Sequence, residues 1–172
     1  MLRELRLGGF KSFESAVVPL GGLTLIVGTN ASGKSNIRDA LRVLHGIGQG
    51  YPLAGVFGER YGPGGVLQWS GIRGGVSEAS YLRQGHFDLG VKLDIPGRIK
   101  GTEGGELDYS VSIDLSNSTL GPRVSAERLV NMEGFYFDSE PVDDPVEQSG
   151  DHQIRVRYPR NGRYRRHGKV LE

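Results

Sequence analysis

One stretch of this chain restricts its fold more than any other: Gly28-Thr29-Asn30-Ala31-Ser32-Gly33-Lys34-Ser35, which satisfies G-x-x-x-x-G-K-[ST]. The pattern acts only where a strand feeds a tight loop and a helix receives it. Both flanks are present. Leu23-Thr24-Leu25-Ile26-Val27 is apolar on both faces, as expected of a buried central strand. Past the loop, Ile37, Ala40, Leu41 and Leu44 fall at i, i+3, i+4 and i+7, so a helix is predicted from Ser35, with Gly46 as its C′ stop. Glycines let the loop backbone curl so that successive N–H groups face a phosphate, and the helix adds its positive end. Lys34 would reach the β- and γ-phosphates and Ser35 would ligate Mg²⁺. The expected ligand is therefore ATP–Mg²⁺. Gly28, Asn30, Ala31, Ser32, Gly33, Lys34, Ser35 and Asn36 are expected to cradle it, with Lys34 and Ser35 acting in catalysis and Ser35 on the metal. A plain glycine turn does not account for Lys and Ser directly after Gly33.

The remainder is built differently. With 172 residues and no cysteine, the chain reads as one domain without disulfides, thiolate metal cage or cysteine nucleophile. No apolar run reaches bilayer length and the N-terminus lacks a signal-peptide core, so a cytoplasmic protein without a membrane partner is expected. Glycine is abundant, at 28 residues, and 11 of them crowd into residues 46–75, which reads as a long mobile loop with a short element near Leu67-Gln68-Trp69. Beyond it, Phe87, Leu89, Val91, Leu93 and Ile95 alternate with polar residues, as do Leu107, Tyr109, Val111, Ile113 and Leu115. Weaker strands are predicted over 123–130, 134–138, 153–158 and 164–171, the last two joined through Asn161-Gly162. Short connections between alternating strands indicate an antiparallel meander with one wet face. Residues 133–151 carry seven acids and no Lys or Arg, whereas 152–172 carry seven Lys or Arg and one Glu. Such a basic segment suits either a solvated strand pair or a phosphate-bearing partner.

Phe10-Lys11-Ser12-Phe13, the Gly28–Asn36 loop and Ile37-Arg38-Asp39-Ala40-Leu41 together resemble the N-terminal lobe of ABC-type ATPase heads, in the SMC/RecF-like branch that includes AAA family ATPases of DNA repair and phage defence. The resemblance is specific over 1–45 and architectural over 76–172. It implies an α/β P-loop NTPase core lobe with an antiparallel β-subdomain, divided as 1–47 (P-loop core), 48–75 (Gly-rich loop) and 76–172 (β-subdomain). It also implies that Lys11 and Ser12 lie near the base or ribose, and that Ala31 stands where many members have Gly. Heads of this kind need an acidic Walker B pair and a Ser-Gly-Gly signature. Ser70-Gly71-Ile72 is no signature, and the acids of Phe135–Glu140 are separated and open a Pro-rich turn. The expectation is therefore half a head, completed by a C-terminal ATPase lobe from the same gene or a separate chain. It would dimerise head to head around nucleotide and act on DNA or with a nuclease. The basic residues Arg155, Arg157, Arg160, Arg163, Arg165, Arg166 and Lys169 are candidates for the DNA contact. Gln84, Gln148 and Gln153 all remain open as a Q-loop glutamine, and the four histidines show no metal spacing. Trp69 and Arg73 read either as a cover for the nucleotide or as a local packing cluster, the latter favoured. A nucleotide-gated scaffold without turnover and a transporter-type nucleotide-binding subunit are the alternative functions.

Overall fold

The computed structural model describes residues 1–95, 105–116, 121–131, 134–141, 153–157 and 165–168. The Asn161-Gly162 turn, Gln148 and three of the basic residues, Arg160, Arg163 and Lys169, lie outside them.

Strands β1 (Leu2–Phe10) and β2 (Phe13–Pro19) form a hairpin whose two-residue turn is Lys11-Ser12, with Phe10 opposite Phe13. On its other side β1 pairs with β5 (His86–Ile95), and β6 (Gly105–Asp114), β7 (Arg123–Asn131), β8 (Gly134–Pro141), β9 (Gln153–Arg157) and β10 (Arg165–Gly168) follow. The sheet order is β10-β9-β8-β7-β6-β5-β1-β2, and every pairing is antiparallel. Period-2 alternation sends Leu5, Leu7, Phe87, Leu89, Val91, Val111 and Ile113 to the buried face. The other face is polar. There Arg6 pairs with the Asp108 carboxylate (Nη1 to Oδ2 2.7 Å), and Glu4 lies near both Arg6 and Lys92.

Helix α1 (Lys34–Gly48) covers the apolar face. Its Ile37, Ala40 and Val43 join Leu5, Leu7, Phe10, Phe87 and Leu89 in one core. The helix runs two residues past the expected stop, because Gly46 serves packing rather than termination. A Cβ at Gly46 would sit 2.9 Å from Val56 Cγ2 and 3.2 Å from Trp69 Cζ2. What lies against it is the segment expected to be a loose loop. That segment contains α2 (Leu53–Phe57) and a ribbon of β3 (Arg60–Tyr61) with β4 (Leu67–Trp69). Its aliphatics are few, yet Val56, Phe57 and Ile72 all enter the core, which is enough to hold it down.

One prominent expectation fails. Leu23–Val27 joins no ladder, and Leu23, Leu25 and Val27 are 93 %, 83 % and 79 % exposed. A run apolar on both faces needs strand neighbours and a layer on each side, and among the described residues the sheet ends at β2. No helix among the described residues is long and apolar enough to cross a membrane.

Candidate nucleotide-binding site

The loop from Gly28 to Gly33 leads directly into α1. Gly33 is the N-cap, with φ +92°, a left-handed conformation that L side chains rarely adopt. Having no side chain, it leaves the helix end uncapped; the Asn36 N–H donates to the Gly33 carbonyl at 2.8 Å, and the N–H groups of Lys34 and Ser35 remain available to an anion. No acidic residue lies in the first turn to compete with a phosphate. A Cβ on Gly33 would lie 2.7 Å from Phe13 Cζ and 3.2 Å from Ser12 Oγ, so the β1–β2 turn closes over this glycine. Ala31 is also left-handed, at φ +64°.

Lys34 folds back into the loop. Its ammonium donates to the Gly28 carbonyl at 2.7 Å and to the Thr29 carbonyl, with Ser32 Oγ at 3.4 Å. The cation therefore lies within the curl of the loop. Ser35 follows at the start of the helix, partly exposed. This donor set fits ATP–Mg²⁺: backbone N–H groups and Lys34 for phosphate oxygens, and the Ser35 hydroxyl for the cation.

Of the flanking candidates, Ser12 Oγ accepts from Asn36 Nδ2 at 2.7 Å. Lys11, at φ +51°, turns its ammonium inward to the buried Asp39 carboxylate, 3.2 Å from Oδ2. Trp69 and Arg73 separate. Trp69 packs on the second half of α1, stacked on His45 at 5.9 Å and edge-on to Tyr51, and its Nε1 donates to the Val56 carbonyl at 2.9 Å. Arg73 instead reaches the first half, where Nε meets Asp39 Oδ2 at 3.3 Å and Nη2 donates to Asn36 Oδ1 at 3.1 Å. Asp39 and Phe13 are site residues that sequence reasoning missed. Asp39 precedes Val43 by four residues and so shares its buried stripe; an acid in that position was the available signal.

A cavity of about 920 Å³ lies by the other end of α1, lined mainly by apolar residues including Leu41, Leu44, Trp69, Leu93 and Leu129, away from the P-loop. Phe135–Glu140 lies in β8, separated from β5 by β7 and β6. No cluster of three His, Asp or Glu that could hold a metal occurs among the described residues.

Residues 23–149 match a family model described as "AAA domain, putative AbiEii toxin, Type IV TA system". The chromosome partition protein Smc of Clostridium kluyveri is 51 % identical over 43 residues, which are 24 % of this chain and 4 % of that protein. The chain thus spans a small fraction of that relative. A solved chain from work on "Structural biochemistry of ATP-driven dimerization and DNA stimulated activation of SMC ATPases" superposes with a TM-score of 0.43 at 22 % identity, over 78 % of this chain and 70 % of that one.

Proposed function

Because the chain belongs to this AAA-domain family, we propose that it binds ATP–Mg²⁺ through Gly28–Ser35 and supplies the P-loop half of an SMC/RecF-like ATPase head. The observation that carries the reading is the uncapped start of α1 with the Lys34 ammonium curled into the loop before it. Lys34 exchanges its carbonyl partners for β- and γ-phosphate oxygens and stabilises the charge that develops on them. The Ser35 hydroxyl would hold Mg²⁺, which when bound would supply charge neutralisation to the phosphates. Ser12, through its exposed hydroxyl, and Lys11, through the turn its ammonium fixes, frame the base or ribose side.

A second lobe completes the head, as a continuation of this polypeptide or as a separate chain, and brings the Walker B acid and the signature. Support for it comes from Leu23–Val27, which lies exposed next to the P-loop and has the composition of a central strand. Two such heads then dimerise around nucleotide and act on DNA or on a nuclease partner, in repair or phage defence. The basic residues of β9 and β10, Arg155, Arg157, Arg165 and Arg166, are the proposed phosphate contacts.

Calorimetric titration with ATP–Mg²⁺ tests the nucleotide reading. Lys34→Ala should abolish measurable binding, and an unchanged affinity would sink the phosphate-cradle assignment.

A further inference from the structure

A closed ring of polar contacts ties three distant pieces of the chain together beside the P-loop. Asp39, 1 % exposed, holds Lys11 Nζ at 3.2 Å and Arg73 Nε at 3.3 Å, both on Oδ2. The Lys11 ammonium, itself on a side chain only 6 % exposed, also donates to the Arg73 carbonyl. Arg73 Nη2 donates to Asn36 Oδ1, and Asn36 Nδ2 donates to Ser12 Oγ. Ser12 adjoins Lys11, so the ring closes.

Stability alone explains this cluster poorly. Desolvation of a buried carboxylate and ammonium offsets much of their attraction, and a well-packed apolar replacement is often as stable. Asp39 Oδ1 adds to the deficit, being buried without a hydrogen-bond partner among the described residues. What the ring provides is connection. Asn36 directly follows Ser35, and Ser12 lies against Gly33. At the far corner Arg73, 56 % exposed, sits within the Gly71–Gly75 loop.

We propose that Asp39 is a positioning residue that clamps the Gly71–Gly75 loop and the Lys11-Ser12 turn to the P-loop helix, coupling order in that loop to nucleotide affinity through Arg73 and Asn36. The coupling rests on the nucleotide reading above; the clamp does not. Because coupling between two sites is reciprocal, nucleotide tightens the loop and release of the loop weakens nucleotide binding.

Hydrogen exchange on the full chain, with and without ATP–Mg²⁺, tests this in the parent, Asp39→Asn and Arg73→Gln. Without nucleotide, amides 71–75 should exchange about tenfold faster in both variants while β5 and β6 are unchanged. ATP–Mg²⁺ should protect these amides further in the parent alone, and affinity should fall about tenfold in each variant. Asp39→Asn leaves the Lys11 ammonium buried without a counter-charge, so its folding is checked through the double variant Lys11→Met/Asp39→Asn. Removing both charges should restore the melting temperature but not loop protection, whereas a merely structural Asp39 would be rescued in both. Unchanged exchange at 71–75 in Arg73→Gln, or loop protection restored by the double variant, overturns the clamp. ATP binding that leaves 71–75 unprotected in the parent overturns the coupling alone. A parent that shows the nucleotide-free differences yet binds no ATP overturns the coupling together with the nucleotide reading.

Discussion

Gly33 shows how one residue can serve two demands. The loop needs a left-handed turn at that position, and the Phe13 ring needs the space a Cβ would occupy. Gly33→Ala should therefore lower stability by about 1–3 kcal/mol, read from the urea midpoint. Adding Phe13→Leu should recover only part of the loss, because it relieves the steric contact and not the backbone strain. Tyr109 ties stability to pH. Burial first, and then the hydrogen bond to Glu127 Oε1 at 2.7 Å, hold its phenol well above the usual range. An acid whose pKa is raised by folding contributes stability that is complete below its unfolded value, near 10, and is lost as the pH climbs past it. Stability should thus hold up to about pH 10 and fall as the pH rises from there toward the raised folded value, and Tyr109→Phe should flatten that fall. At neutral pH the same variant should be about 1 kcal/mol less stable, since Glu127 loses a donor. Urea midpoints across the pH series check both. Asp108 behaves in the opposite sense. Its hydrogen bond to Arg6 holds the carboxyl below the usual range, so its contribution fades as the pH falls through that lowered value.

Helix α1 depends on what is packed against it. Replacing Gly46 with Ala would favour the helix by about 1 kcal/mol on propensity alone. The new methyl, however, would meet Val56 and Trp69 inside contact distance. Val56 is β-branched and stiff, and Trp69 is held by its hydrogen bond to the Val56 carbonyl, so neither yields readily. Overpacking of this kind costs about 1–3 kcal/mol, and the net expectation for Gly46→Ala is destabilisation, seen as a lower melting temperature. Sequence periodicity identified α1 but not its end, because a glycine that stops a helix and one that admits a neighbour look alike in one dimension. The strands were legible for the opposite reason. Alternation over 87–95 and 107–115 reports a single local property, one buried face, and β5 and β6 follow it within two residues. In residues 46–75 the short element at Leu67-Gln68-Trp69 is found as β4, but the expected mobility fails, because composition averages over the segment whereas its anchorage rests on Val56, Phe57 and Ile72.

At the scale of the whole molecule the exposed Leu23–Val27 segment dominates. Four apolar residues and Thr24, without ladder partners among the described residues, form a template for strand pairing and an aggregation liability. On the two-lobe reading, adding the polypeptide encoded immediately downstream should slow hydrogen exchange across 23–27 and raise ATP turnover well above that of this chain alone. Full turnover by the chain alone, or unaltered exchange at 23–27, would refute the two-lobe reading. The P-loop, the helix that follows it and the alternating strands are each written in neighbouring residues whose spacing matches a local motif or period, so they are legible in one dimension. Only the folded molecule brings Lys11 and Arg73, 28 residues before and 34 after Asp39, onto one carboxylate, makes Gly46 a packing site, and leaves Leu23–Val27 without a strand partner among the described residues. Those outcomes depend on which distant surfaces come together, and local spacing carries no record of that.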